Sequence, residues 1–72
     1  MKPKTKFKKG QTYYVLRGPG KPYKIHILQR IEKYMIVFRW YGRHKQWWHY
    51  EIMSEYALDY EVQTGERIRN DI

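Results

Sequence analysis

Cysteine is absent from this chain of 72 residues. Without thiols the chain forms neither a disulfide nor a zinc site with thiolate ligands. A chain this short buries roughly 60% of its unfolded surface, so a stable fold needs another dense source of apolar contacts. Three Trp, eight Tyr and two Phe residues supply that source, since each ring can bury on the order of 150–250 Å².

Long apolar runs are missing as well. No segment approaches the ~20 apolar residues that a membrane-spanning helix needs. The basic residues 1–10 lack the apolar core of a secretory signal. We therefore expect a cytoplasmic protein that has no membrane as a partner.

Acidic residues are scarce in the first two thirds of the chain. Glu32 is the only one before residue 51, and the other six of the seven Asp and Glu residues lie in residues 51–72. The formal net charge of the chain is +8, so residues 1–50 by themselves carry a larger positive charge than the whole chain. A basic body with a separate acidic end attracts polyanions. The alternative is that lysine only keeps a small protein soluble, which does not explain why acids are almost missing from so long a stretch.

The sequence divides into three segments. Residues 1–9 contain five lysines and no hydrophobic periodicity, which predicts a disordered basic arm with Phe7 as a candidate anchor. Residues 10–64 are expected to form one folded domain. Residues 65–72 are expected to be a C-terminal tail.

Alternating apolar and polar residues between turn signals indicate an antiparallel β domain. The predicted strands cover residues 11–17, 23–31, 34–41 and 46–53. Ser54 is suited to cap one helical turn over residues 55–58, and a short last strand is expected around residues 60–63. Four to five strands are too few for two full layers. The expected fold is therefore mostly β: a small antiparallel SH3-like barrel with one short helical turn.

The alternation also predicts which side chains face the core. In strand 23–31 the inward set is Ile25, Ile27 and Ile31, and the outward set is Lys24, His26 and Arg30. The expected core rings of the next two strands are Phe38, Trp40, Trp48 and Tyr50. A register slip of one residue would exchange the two sets, because neighbours in a strand point to opposite sides.

The run FRWYG followed by WWHY resembles the strand–turn–strand of chromodomains and Tudor-type barrels. In those domains a Val/Phe-x-Trp-x-Gly run meets a second aromatic strand and then a short helix. The resemblance covers residues 34–58 and departs where Ile52, rather than proline, follows Glu51. A second departure is that no long C-terminal helix is expected in this chain. The resemblance implies an SH3-like barrel and does not by itself imply a function. An aromatic cage for methylated ammonium groups usually has acidic neighbours, and this surface is basic.

Neither catalysis nor metal binding is expected. The single serine, Ser54, lies at a helix cap, and the carboxylates of Glu51 and Glu55 have little shelter in so small a domain. The histidines His26, His44 and His49 match no familiar zinc spacing. We expect no enzyme, no cofactor and no metal.

Nucleic-acid binding is the function that the sequence favours. Cations neutralise phosphates with release of counterions, and exposed rings stack on bases. The candidate site residues are Lys24, His26, Arg30, Arg39, Tyr41, Arg43, Lys45, Trp47 and His49. Strand alternation favours binding over packing for Trp47, and packing over binding for Tyr41. Binding to DNA or RNA is expected to be weakly sequence-specific, because no helix suited to the major groove is predicted.

A second function uses the same residues. Aromatic rings and arginine also dominate protein interfaces. A compact basic protein of this kind is typical of those that phages encode to bind and inhibit a host protein or defence complex. The partner would then be an acidic protein surface, and lower salt sensitivity would distinguish it from nucleic acid.

Overall fold

The computed structural model describes residues 5–18, 20–42 and 46–70, the side chains of residues 69 and 70 excepted. The elements are β1 (Thr12–Val15), β2 (Tyr23–Ile31), β3 (Met35–Gly42), β4 (Trp47–Ser54) and α1 (Glu55–Asn70). The strands form one antiparallel sheet in the order β1-β2-β3-β4. The predicted antiparallel, mostly β fold is confirmed. Within the described ranges the sheet is open, so the expected closure into a barrel is not seen.

One face of the sheet, here called the inner face, packs against α1. The buried apolar residues are Phe7, Val15, Ile25, Ile27, Ile36, Phe38, Leu58 and Val62. Full burial of an aliphatic or phenyl side chain contributes about 1.5–3 kcal/mol relative to exposure. This cluster is therefore the main source of stability in the described part of the chain. Trp40, expected in the core, is half-buried and packs against it.

The C-terminal helix is much longer than the single turn expected. Ser54 Oγ accepts a hydrogen bond from the Ala57 N–H at 3.3 Å, so the predicted cap is confirmed. The helix then continues through residues 60–63, where the prediction of a strand was wrong. Leu58 and Val62, four residues apart, place one apolar stripe against the sheet.

Gly65 allows α1 to approach β1 closely. A Cβ at this position would lie 2.9 Å from the Tyr14 carbonyl oxygen and 2.9 Å from the Val15 carbonyl carbon. The glycine that suggested a turn in the sequence is instead a contact point between helix and strand. The helix therefore includes residues 65–70, which the sequence assigned to a tail.

A bulge in β2 reverses the alternation predicted for that strand. The pairing with β3 shifts between Ile27 and Gln29, and an extra residue in one strand exchanges the faces beyond it. Arg30 lies opposite the buried Ile36 and therefore on the inner face. Ile31 points outward and is 37% exposed. The predicted inward Ile31 and outward Arg30 were both wrong.

The faces of β4 are also reversed relative to the prediction. Trp48 lies opposite Tyr41, and Tyr50 lies opposite Arg39. Directly opposed residues in an antiparallel pair share a face, so both rings lie on the side away from α1. Trp48 is 37% exposed and Tyr50 is 61% exposed, and neither belongs to the core. For Phe38 the core prediction is confirmed.

The N-terminal segment is fastened to the helix from residue 5 onward. The Thr5 N–H donates to Asp59 Oδ1 at 2.7 Å, and Phe7 is 2% exposed, which confirms it as an anchor. Residues 1–4 of the predicted basic arm lie outside the described residues.

Candidate nucleic-acid interface

The sheet surface turned away from α1, here called the outer face, combines cations with aromatic rings. Its charged and aromatic residues are Tyr14, Lys24, His26, Arg39, Tyr41, Trp48 and Tyr50. The acidic residues of the described ranges lie elsewhere, in the β2–β3 turn, on the inner side of β4 and on α1: Glu32, Glu51, Glu55, Asp59, Glu61 and Glu66. The outer face therefore carries positive charge that no strand carboxylate on the same face offsets.

Trp48 is the centre of the outer face. The guanidinium carbon of Arg39 lies 4.3 Å from the centroid of the Trp48 ring. Tyr41 and His26 approach the same ring edge-on, at 5.4 Å and 5.7 Å between centroids. A cation–π contact of this kind contributes about 0.5–1 kcal/mol at an exposed site. The rings thus hold the Arg39 cation in a fixed orientation without neutralising it.

The residues beside this centre form further polar contacts. Arg39 Nη1 donates to the Tyr50 hydroxyl at 3.4 Å. On the β1–β2 side, the Lys24 ammonium lies 5.8 Å from the centroid of the Tyr14 ring. Thr12 Oγ1 lies 3.3 Å from His26 Nδ1. Cations and rings therefore alternate across all four strands, as a surface that binds both phosphates and bases requires.

Trp47 lies opposite Gly42 at the start of β4, on the inner side of the sheet, and not on the outer face where it was predicted. Its side chain is 68% exposed. Together with Gln46, Trp48 and Tyr50 it lines an open groove of about 260 Å³. The groove adjoins the outer face through Trp48 and Tyr50.

Two further predicted site residues, Arg30 and His49, also lie on the inner face. Arg30 pairs with Glu55 and also donates to the Phe7 carbonyl oxygen at 3.0 Å. The hydrogen bond from Arg30 is the main reason that the pKa of the Glu55 carboxyl lies below its ordinary value, although burial acts against it. His49 stacks on Trp40 at 4.2 Å between centroids. The structure therefore does not bring Arg30 and His49 together with the outer-face cations.

Of the other predicted residues, Lys24, His26, Arg39 and Tyr41 come together on the outer face. Arg43 and Lys45 lie outside the described residues. Sequence reasoning assigned Trp48 and Tyr50 to the core and so missed them as surface rings. The register of the β3–β4 hairpin could have identified Trp48 as a surface ring. If Gly42 is opposite Trp47, then Tyr41 is opposite Trp48 and the two rings share a face.

The acidic groups of the inner face are engaged with arginine and tryptophan. Arg17 pairs with both Glu51 and Glu61, and Trp40 Nε1–H donates to Glu51 Oε2 at 3.0 Å. Burial raises the pKa of Glu61 above its ordinary value, while Arg17 acts in the opposite direction. Negative charge is therefore concentrated on the helix side of the sheet, away from the outer face.

The described ranges contain no group of three or more His, Asp or Glu side chains placed to hold a metal ion. Among the same residues, no helix has the length and apolar character to cross a membrane. Comparison with protein-family models, curated proteins and solved structures found no match to this chain.

Proposed function

We propose that this protein binds nucleic acid through the outer face of its sheet. The supporting observation is the arrangement around Trp48: uncompensated cations and exposed rings share one surface, and the carboxylates of the strands and helix lie on the other. Phosphate contacts supply most of the affinity, and base contacts add little sequence preference. The protein acts as a binding protein and not as an enzyme.

Single-stranded nucleic acid suits this surface better than a duplex. The rings of Tyr41, Trp48 and Tyr50 lie on a sheet surface, and bases can stack on them only when they are unpaired. Lys24 and Arg39 flank those rings and would contact the phosphates of the same strand. A duplex would contact this face only through its backbone, because its bases are paired and stacked.

Fluorescence titration of the tryptophans tests the proposal. Single- and double-stranded DNA and RNA of matched length are compared at two salt concentrations. We expect saturable quenching with single strands that weakens as salt increases. The absence of binding to any form at low salt would contradict the proposal.

Lys24→Gln, with Lys21→Gln as its control, tests which cations take part. Both lysines are exposed, but Lys24 lies on the outer face and Lys21 lies in the loop before β2. For single strands the slope of log affinity against log salt changes by about 0.7 for each phosphate that the protein no longer neutralises. We expect this change in Lys24→Gln only. Equal effects of the two substitutions would show that net charge, and not the outer face, determines binding.

A protein partner is the second candidate function. The observation in its favour is the aliphatic part of the outer face, where Ile31 is 37% and Ile52 is 59% exposed. Met35 and Val37 lie between them. An acidic surface of a host protein, bound by a phage-type inhibitor, would fit such a patch beside cations. Binding that heparin does not displace and that salt barely weakens would favour this function.

The resemblance to chromodomain and Tudor barrels remains a proposal about architecture. It depends on the FRWYG and WWHY runs and on the order of strands. Its most specific prediction is that the sheet closes into an SH3-like barrel. The proposed binding function does not depend on it.

A further inference from the structure

The free edge of β4 exposes several large apolar side chains, and Glu51 is its only charged residue. Four of the nine exposed large apolar side chains of the described residues belong to this strand: Trp47, Trp48, Tyr50 and Ile52, at 68%, 37%, 61% and 59% exposure. Sheet edges are commonly protected by lysine, proline or a bulge. The eight residues of β4 contain no lysine or proline, and their pairing with β3 runs without a shift.

The hydrogen-bonding pattern identifies which backbone groups point to the free edge. The Glu55 N–H donates to the Tyr34 carbonyl oxygen at 2.7 Å. Tyr34 and Glu55 follow directly on the opposed pair Met35 and Ser54, so they form a hydrogen-bonded pair of the β3–β4 ladder. Hydrogen-bonded pairs alternate along an antiparallel ladder. The odd-numbered residues of β4 therefore bond to β3. The N–H and C=O groups of Trp48, Tyr50 and Ile52 point away from the sheet.

From these observations we propose that β4 is a self-association edge, which pairs antiparallel with β4 of a second copy of this chain. Antiparallel pairing of one strand with its own copy has twofold symmetry and closes as a dimer. The two four-stranded sheets would become one continuous sheet. Both outer faces would lie on the same side of it. This proposal does not depend on the proposed function.

The register centred on Tyr50 is the one that the side chains favour. It places Glu51 opposite His49 of the second copy and Trp48 opposite Ile52 of the second copy. An imidazole N–H can donate to a carboxylate across the strands, and aromatic–β-branched pairs stabilise directly opposed positions. A register centred on Glu51 would instead place two carboxylates opposite each other, which is unfavourable. Tyr50 at the centre also pairs every outward backbone group of Trp48, Tyr50 and Ile52.

The same register covers Trp47, the most exposed of the three tryptophans. Trp47 would lie opposite Met53 of the second copy, on the inner side of the joined sheet. Met53 already packs beside the core, so the exposed indole would extend that apolar layer across the junction. The groove lined by Gln46, Trp47, Trp48 and Tyr50 lies at this edge, where the second copy would fill it.

Analytical ultracentrifugation of the full chain without nucleic acid tests the association. We expect a monomer–dimer equilibrium. Tyr50→Pro removes an outward N–H without removing a β3–β4 hydrogen bond, and we expect it to raise the dimer Kd at least about tenfold. Tyr50→Ala, which keeps the N–H, is the matched control and should associate more strongly than Tyr50→Pro. A wild-type chain that is monomeric at all concentrations, or a folded Tyr50→Pro variant that dimerises normally, would overturn the proposal.

A second variant tests the proposal even if Tyr50→Pro does not fold. Ile52→Lys keeps the backbone intact and adds the charge that protects many natural edges. Circular dichroism confirms that each variant is folded. If Tyr50→Pro does not fold, Ile52→Lys must weaken the dimer at least about tenfold, and an unchanged Kd would overturn the proposal.

Cysteine scanning tests the register, because the natural chain has no cysteine. Directly opposed residues of a hydrogen-bonded antiparallel pair have Cα atoms about 5.5 Å apart, within the range of a disulfide. Tyr50→Cys should therefore form a disulfide-linked dimer at least about tenfold faster than Thr12→Cys on β1, because the dimer raises the local thiol concentration. Equal rates for the two variants would overturn the register.

Discussion

The charged side chains on the inner face of the sheet form ion pairs, whereas the cations of the outer face lie among aromatic rings. Arg17 and Arg30 meet carboxylates of β4 and α1. Arg39 instead lies against Trp48. Paired charges at the boundary of a core stabilise the fold, but they leave little positive charge for a ligand. The comparison shows how a domain of this size separates the residues that maintain its structure from those that meet a polyanion.

The largest effect expected from this comparison is on stability. Phe38→Ala removes a fully buried ring, and its loss should lower the free energy of unfolding by about 3–5 kcal/mol. Trp48→Ala should cost much less, because Trp48 is 37% exposed on the opposite face. Urea denaturation measures both. Similar losses for the two variants would mean that Trp48 belongs to the core after all.

The contact between helix and sheet gives a second test. Gly65→Ala should lower stability by about 1–3 kcal/mol, because its new methyl group would meet the backbone of Tyr14 and Val15. This loss would occur although alanine favours a helix by about 0.8–1.0 kcal/mol over glycine. Ala57→Gly, at an exposed position of the same helix, measures that propensity alone. A stabilised Gly65→Ala variant would show that α1 does not approach β1 so closely.

The rings of the outer face give a third test, on binding. Tyr50→Ala should weaken single-strand affinity by about 1–3 kcal/mol if one base stacks on this ring. Tyr60→Ala is the matched control, since Tyr60 is 73% exposed on α1 and far from the outer face in the fold. Its affinity should equal that of the wild type. Equal losses in both variants, measured by the same titration, would remove the distinction between the faces.

The smallest expected effect is the pH dependence of the Arg30–Glu55 pair. Because the folded-state pKa of Glu55 is lowered from 4.5, its contribution is fully present above that value and is lost as the pH falls through the folded pKa. In Glu55→Gln this part of the acid destabilisation, about 1 kcal/mol, should be absent. Urea denaturation at pH 7 and at successively lower pH measures the difference. Parallel pH profiles for wild type and variant would contradict the pairing.

Local patterns were sufficient to predict the four strands of the sheet but not all of their faces. The boundaries of β2 match residues 23–31, and the inward set of β3 is Ile36, Phe38 and Trp40, as alternation predicts. The bulge after Ile27 leaves no trace in the alternation, so Arg30 was placed on the wrong side. In β4 both alternating sets contain tryptophan. Hydrophobicity could not decide between them, and the pairing with β3 does.

The helix was underestimated for a related reason. Its sequence contains Thr64 and Gly65, which suggest a turn when considered alone. In the fold, Thr64 Oγ1 donates to the Tyr60 carbonyl oxygen at 3.0 Å within the helix, and Gly65 serves the contact with β1. Tertiary packing thus overrides the weak local preference. The positions of the candidate site residues Lys24, His26 and Arg39 on the outer face were predictable, because these residues precede the bulge or lie in β3.

The indole N–H signals of the three tryptophans test the central claim most directly. Two-dimensional NMR of the 15N-labelled protein, titrated with a short single-stranded oligonucleotide, observes each of them separately. The Trp48 signal should shift strongly, because its ring is the centre of the outer face. The Trp40 signal should remain nearly unchanged, because its N–H is bonded to Glu51 on the inner face. A shift of Trp40 without a shift of Trp48 would place the ligand on the helix side and contradict the proposed function.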